Sequence, residues 1–378
     1  MSADRTRQVK VAIVHDWLVD YAGADRVIDQ MHQIYPQAPI YTLVYNAKKM
    51  PKWFRTYDIR TTFMQKIPFA SRLYKTMLTM MPRAFESLDL TEFDLIISSC
   101  SSCSKGVITR PDALHICYCH TPTRYVWDFY YEYLKNSGWI KRKLIQVLIH
   151  KMRIWDRLAA DRVDVFVGNS KFVAQRIAKY YRRDAVVIYP GVHINDYEII
   201  DTPDDYYLMV GRFVHYKRFD LGIMACTQLG RRLIVVGGGD EEKKLHAMAG
   251  DTVVFVGKLS DKEIMKLYQN AKAFIFPGIE DFGITPVEAQ SAGCPVIALG
   301  QGGAKETVLD GKTGLFFDEQ SVESTVAAIE RFEKEGVLFS RQEIRQHSMQ
   351  FSEERFRENF AAFCKDAYKT WRIQLKSN

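Results

Sequence analysis

Glu280 and Glu288 stand on either side of Gly283 and Ile284 in the stretch FPGIEDFGITPVEAQSAGCPVIA, residues 276–298. Carboxylates accept hydrogen bonds from hydroxyl groups. An apolar strand ends at Phe276, and a helix is expected to start near Thr285 and Pro286. Pro286 suits the first helical position, where a missing N–H costs nothing. Gly283 and Ile284 then present backbone N–H groups at the positive end of that helix, a seat for phosphate. One loop thus offers acids for hydroxyls and an amide nest for an anion. A nucleotide-sugar combines those needs: sugar hydroxyls, a diphosphate and a ribose. The ordinary alternative is a strand–helix turn with solvated acids.

Other segments carry compatible chemistry. Val210-Gly211-Arg212-Phe213-Val214-His215-Tyr216-Lys217 follows a strand and sets Arg212 and Lys217 five residues apart. Arg suits a diphosphate through paired donors and Lys through point charge; two surface cations are the plain alternative. Val236-Gly237-Gly238-Gly239-Asp240 is a glycine turn, a weak signal alone. Phe255-Val256-Gly257-Lys258-Leu259 is a backbone edge able to meet a base, or a simple turn. In the first half, Tyr21-Ala22-Gly23-Ala24-Asp25-Arg26 is a small-residue loop that can approach a phosphate closely. It is too poor in glycine for a P-loop or dinucleotide fingerprint. His120 and Arg124 lie in His120-Thr121-Pro122-Thr123-Arg124, at a strand's carboxyl end. Residues 66–83 set Lys66, Arg72, Lys75 and Arg83 among apolar residues, either a membrane-surface or lipid-acceptor element or a core helix with a basic edge.

These residues need a frame. Strands are expected at Val9–Val14, Ile40–Val44, Leu95–Ser98, Leu114–Cys119, Val163–Gly168 and Ala185–Ile188. Helices are expected at Ala24–Ile34, Ala70–Met80, Lys141–Ala160 and Ser170–Tyr180. In the run 141–160, Leu144, Val147, Leu148, Met152, Ile154, Trp155 and Leu158 recur at helical spacing. After a break at Tyr189-Pro190-Gly191 the alternation restarts. Strands follow at Tyr207–Val210, Arg232–Val236, Val253–Val256, Ala273–Phe276, Pro295–Ala298 and Gly314–Phe317, with helices such as Asp240–Ala249 and Asp261–Asn270 between. Short apolar strands alternating with helices predict parallel sheets covered on both faces. Ligands then sit at the strands' carboxyl ends.

The 378 residues suit two domains. The 47% hydrophobic and 26% charged content is that of a soluble globular protein. No run of about 18 apolar residues predicts a spanning helix, and MSADRTRQVK carries no apolar signal core; a cytoplasmic location is the expectation. Seven cysteines, an odd number, predict reduced thiols. Cys100 ends one strand and Cys117 and Cys119 alternate along another, unlike zinc knuckles. Residues 1–200 hold 29 Lys and Arg against 19 Asp and Glu, and the remainder holds 23 against 26. The basic half expects an anionic partner; no nucleic-acid motif accompanies it.

As a set, in this order and over nearly the whole chain, these motifs resemble the retaining glycosyltransferases of family 4. The resemblance implies an α/β GT-B fold of two doubly wound Rossmann-like domains facing a central cleft. The expected parts are an acceptor domain (1–195), a donor domain (196–355) and a C-terminal helix (356–378) returning to the first domain. It implies that Arg212 and Lys217 bind the donor diphosphate, Glu280 holds the donor sugar and Glu288 holds the ribose. Gly283 and Ile284 would donate around sugar and phosphate, flanked by Asp281 and Phe282. Val256 to Lys258 would meet the base, and His120 would contact the sugar. Gly23 belongs to the donor loop, although Ala22 stands where the family usually has a second glycine. Asn169-Ser170-Lys171 matches a cleft-lining segment. Arg124 and Lys75 are the acceptor-side candidates.

The opening VAIVHDWL and CYCHTPTRYVWD look most like the bacterial mannosyltransferases of O-antigen and exopolysaccharide synthesis. That similarity implies a nucleotide-sugar donor, GDP-mannose ahead of UDP-sugars, and a polyprenyl-diphosphate-linked saccharide acceptor. It also implies an anionic membrane surface on the inner face of the plasma membrane, with no metal and no cofactor. With no carboxylate pair placed for double displacement, a front-face reaction is expected, in which the leaving diphosphate takes the acceptor's proton. The competing readings are a UDP-sugar enzyme, a synthase or phosphorylase with a soluble product, and a non-catalytic nucleotide-sugar binder.

Overall fold

The structure, a computed structural model, describes residues 9–135, 138–194, 199–335 and 339–377. The chain divides into two compact units. One is formed by residues 1–189 with 356–378, the other by 190–355. The expected boundary at 195/196 lies outside the described residues.

The first unit carries a seven-stranded parallel sheet. Its strands are β1 (Val11–His15), β2 (Ile40–Thr42), β3 (Ile59–Thr61), β4 (Leu95–Cys100), β5 (Leu114–Cys119), β6 (Val165–Gly168) and β7 (Ala185–Val187), ordered β3-β2-β1-β4-β5-β6-β7. β1 shows why both faces are covered. Ala12 and Val14 enter one core cluster, with Ile96 and Phe85, while Ile13 enters the other, with Ile97 and Ile116. Period-two alternation thus feeds two cores. β3 has no matching sequence expectation: its three residues, one of them an exposed Arg60, carry too little apolar signal.

The second unit repeats the plan with six parallel strands: β8 (Tyr207–Arg212), β9 (Leu233–Gly238), β10 (Val253–Gly257), β11 (Ala273–Phe276), β12 (Val296–Leu299) and β13 (Gly314–Phe317). Their order is β10-β9-β8-β11-β12-β13. In both sheets the chain winds outward one way, then returns to the middle and winds the other way. The reversal falls between β1 and β4 in the first sheet and between β8 and β11 in the second. The carboxyl ends at such a reversal form an open crevice.

Helix α1 (Gly23–Ile34) follows β1. The long helix α2 (Trp139–Asp161) precedes β6, and α3 (Lys171–Tyr181) is N-capped by Ser170, whose Oγ accepts from the Val173 amide at 3.0 Å. The C-terminal helix runs Glu353–Ser377. Its Phe356, Phe360 and Cys364 are buried in the first unit's core, with Ile13, Ile97 and Tyr118.

One expectation needs correction. The single helix expected at Ala70–Met80 is instead a helical turn Ala70–Leu73, a 3₁₀ segment Tyr74–Met80 and a short helix Met81–Glu86. Phe69 is left-handed at φ 59°, and Met77 leaves helical geometry. Pro82 opens the last piece, because its ring cannot follow an unbroken helix. The apolar set at helical spacing along α2 forms two stripes. Met152 is buried and Trp155 half-buried, but Leu144, Val147, Ile154 and Leu158 are exposed.

Candidate functional site

The second unit's site is built at the β8/β11 reversal. β8 ends at Arg212, whose side chain is exposed. The chain turns through a 3₁₀ segment, His215–Lys217, closed by the Lys217 amide on the Val214 carbonyl at 3.0 Å. This turn delivers Lys217 to the end of β11. There its Nζ meets Glu280 Oε1 at 2.7 Å, both side chains mostly shielded from solvent.

Glycines allow this approach. A Cβ on Gly278 would stand 2.8 Å from the Lys217 Cα. One on Gly237 would stand 1.8 Å from the Gly211 carbonyl oxygen, and one on Gly239 2.6 Å from that of Phe213. The run Gly237-Gly238-Gly239 therefore brings the end of β9 hard against the turn after β8. On the other side, the Gly303 amide donates to the Glu280 carbonyl at 2.9 Å, and its Cα packs against Phe282. Gly302 and Gly303, which the sequence reading passed over, thus hold the Glu280 loop. Their signal was the run Gly300-Gln301-Gly302-Gly303.

Helix α4 (Ile284–Ser291) begins at Gly283, left-handed at φ 87°. Pro286 is its third residue, not its first. The first-turn donors are therefore Ile284 and Thr285, and Pro286 removes the next one. The Thr285 hydroxyl is buried at this helix start with no hydrogen-bond partner among the described residues. Asp281 is half-buried, and Phe282 is buried edge-on to Phe351, ring centroids 5.5 Å apart. Glu288, one turn further along, accepts from the buried Tyr268 hydroxyl at 3.3 Å. Val256 sits in a bulge of β10, where Phe255 pairs with Val235 but Gly257 with Val236. Its backbone is released from the ladder at the sheet's edge. Lys258 follows, exposed, its stem beside Gly238.

The first unit gathers a different set at the β1/β4 reversal. Register pairs His15 with Ser99 and Cys100 with Cys119, so the carboxyl ends lie level. Asp16, just beyond β1, takes five hydrogen bonds: the amides of Ser101 (2.6 Å), Ser102, Cys103 and Ser104 (2.8 Å each) and the Ser101 hydroxyl (3.0 Å). His15 Nδ1 reaches the Ser99 carbonyl and Oγ, both at 3.2 Å, and its Nε2 lies 3.4 Å from Asp25 Oδ1. Ser99 Oγ lies 2.7 Å from His120 Nε2. Burial opposes charge on His15, but Asp25, Asp16 and the Ser99 carbonyl outweigh it, so its pKa is raised. Burial, then the His15 charge, push His120 down to about 3. His15 Nδ1 faces the Ser99 carbonyl, which can only accept, so that nitrogen carries a proton, and the Ser99 hydroxyl beside it donates onward to a neutral His120. The proton of His120 then sits on Nδ1. Sequence reasoning named His120 but not His15, Asp16, Asp25 or Ser99. The pair His15-Asp16 at the carboxyl end of the first strand was the available signal.

Gly23 lies at the start of the helix after β1, as the first residue of α1. The Asp25 carboxylate takes the Ala22 amide at 2.9 Å. The cation of Arg124 lies over the Phe129 ring, 5.4 Å from its centroid, and that of exposed Lys75 over Tyr74 at 5.8 Å. Among the described residues no group of three or more His, Cys, Asp or Glu side chains is arranged to hold a metal ion. All seven cysteines are buried.

Residues 21–196 match the family model described as Glycosyltransferase Family 4, and residues 194–351 match the one described as Glycosyl transferases group 1. The chain belongs to these glycosyltransferase families. Its architecture is GT-B, with solved GT-B structures as neighbours. Sucrose-phosphate synthase from Thermosynechococcus elongatus superposes with TM-score 0.72 at 16% identity, over 96% of this chain and 100% of that one. Among curated relatives, alpha-1,3/1,6-mannosyltransferase ALG2 of Kluyveromyces lactis is 26% identical over 278 residues, 58% of this chain and 53% of the relative. The GDP-mannose-dependent alpha-(1-6)-phosphatidylinositol monomannoside mannosyltransferase of Mycolicibacterium smegmatis is 36% identical over 138 residues, 32% of this chain and 36% of the relative. The chain spans about half or less of the length of these relatives.

Proposed function

We propose that this glycosyltransferase moves a hexose, mannose from GDP-mannose ahead of a UDP-sugar, to a lipid-linked saccharide, with retention of anomeric configuration. The observation that carries the reading is the Lys217–Glu280 contact at 2.7 Å, next to the α4 N-terminus. A cation for the diphosphate and an acid for the sugar hydroxyls are held in one place. Arg212, Lys217 and the helix N-terminus would stabilise the charge that develops on the leaving diphosphate. That diphosphate would take the acceptor's proton on the same face. Glu280 would orient the sugar, Glu288 the ribose, and the bulged edge at Val256–Lys258 the base. Neutral His120 would act as a hydrogen-bond donor to the sugar and not as an acid. The relatives named as mannosyltransferases support the donor choice; the surplus of basic residues in the first 200 supports an anionic acceptor and a peripheral place on the inner membrane face. No metal or cofactor has a role in this scheme.

The test is a thermal-shift panel of GDP, UDP, ADP, GDP-mannose and UDP-glucose, followed by transfer assays on lipid-linked saccharides. A selective rise with GDP and GDP-mannose, and an α-linked product from the α-linked donor, are expected. A selective rise with UDP replaces the donor; an inverted product removes the front-face reaction. Glu280→Ala should lower kcat by about a hundredfold or more, and wild-type turnover in that variant overturns the assignment.

A further inference from the structure

Helix α2 has two apolar faces, and the first unit's core needs only one. Ile149 and Met152, with half-buried Ile145 and Trp155, enter the same cluster as Tyr74, Met81 and Phe85. The opposite face carries Ile140, Leu144, Val147, Lys151, Ile154 and Leu158, spaced 4, 3, 4, 3 and 4 residues apart. That spacing makes one straight stripe along a helix, about 27 Å long. The five apolar members are between 51% and 67% exposed, and Trp139 at the helix start is 77% exposed. No helix among the described residues is long and apolar enough to cross a membrane.

Two exposed lysines accompany the stripe, Lys143 beside it and Lys151 within it. Of the helix's two acids, Asp156 is buried, held by Lys105 at 2.5 Å, and Asp161 is paired with Arg157. We propose that this outward face of α2 lies in the plane of an anionic phospholipid bilayer, its apolar stripe among the acyl chains and its cations at the phosphates. A second copy of the chain is a poorer occupant. An antiparallel pairing centred on the stripe would set each Lys151 against Val147 of the other copy, placing two cations inside an apolar seam. At a bilayer each lysine stem lies along the apolar surface and its ammonium reaches the headgroups. Trp139 adds an indole, which prefers such an interface. The broken segment Ala70–Glu86 exposes Leu73 and Met80 but forms no continuous stripe.

This inference rests on the peripheral-membrane part of the proposed function and names the element that carries it; donor and linkage do not enter. The full chain is sedimented with phosphatidylcholine vesicles with and without phosphatidylglycerol, while GDP thermal shift is read in parallel. Binding is expected to the anionic vesicles and to fall with salt. Leu144→Gln/Ile154→Gln should weaken it by about tenfold or more, and Lys143→Gln and Lys151→Gln by about fivefold each. Brominated lipid should quench a fluorescence component that Trp139→Phe removes. Unchanged binding by the double variant, or no binding by the wild type, overturns the proposal. So does a dimer in sedimentation equilibrium that the double variant abolishes and vesicles do not compete with. A GDP response without vesicle binding fells the docking face alone; vesicle binding without any nucleotide response fells the donor reading alone.

Discussion

Thr285 carries a buried hydroxyl with no partner among the described residues, at the start of α4. An unmet buried donor is a cost that a bound phosphate oxygen would relieve. Thr285→Val should leave stability equal or slightly higher and weaken nucleotide binding by about five- to tenfold. Thermal unfolding and GDP titration read both; unchanged GDP affinity would mean that the hydroxyl faces away from the donor. Acid stability is also a residue-scale property. Burial pushes the core His115 down to about 4, with His120 lower still. Unfolded histidine titrates near 6.5. Between pH 6.5 and about 4 the unfolded chain therefore binds more protons, and stability is lost as pH falls, by up to about 1.4 kcal/mol per pH unit for each histidine. His115→Asn should flatten that slope in thermal unfolding from pH 7 to 4, whatever its effect at pH 7. His15 works in the opposite sense. Its raised pKa stabilises the fold below the ordinary histidine range, and that share is lost as pH rises through the folded value. The turns that carry Arg212, Lys217 and Glu280 were legible in sequence because glycines and charged residues coincide there. The Asp25–His15–Ser99–His120 chain was not, since its members come from separate strands that only the sheet register brings level.

At the scale of elements, the glycine turns separate packing from backbone conformation. Gly257 is left-handed at φ 69° with open space around it, so Gly257→Ala should cost only the conformational strain, about 1–2 kcal/mol. Gly237 is also positive, at φ 140°, but its Cβ would enter the Gly211 carbonyl. Gly237→Ala should cost well over twice as much and displace the turn that carries Lys217. Denaturant unfolding of the two variants side by side checks the ratio; equal costs would mean that the β8–β9 approach is loose. Strands and long helices were readable from apolar runs and helical spacing. The face of α2 was not, because a helix that is apolar on two sides gives the same periodic signal as one that is buried on one. The helix expected across residues 70–80 failed for a local reason, the left-handed Phe69 and the proline at 82.

At the scale of the whole chain, the last helix ties sequence ends to site. The chain leaves the first unit at Tyr189 and returns to it at Phe356. Phe356 and Phe360 stack on one another and meet the Tyr118 ring edge-on, at 5.7 and 5.8 Å. Tyr118 lies on β5, two residues before His120, and its ring touches that of His120 at 5.2 Å. The C-terminal helix therefore braces the strand that presents His120, although more than two hundred residues separate them in sequence. Phe360→Ala opens a cavity in that brace and should cost about 3–5 kcal/mol. Because the two units have separate cores, the loss should fall on the first alone. Calorimetry should show the first unit's transition moving down by several degrees while the second unit's stays in place. Transfer should fall with it as the His120 ring loses its backing, even at temperatures where both units remain folded. A single transition that moves as a whole would mean instead that the units unfold cooperatively, with the helix as the coupling element.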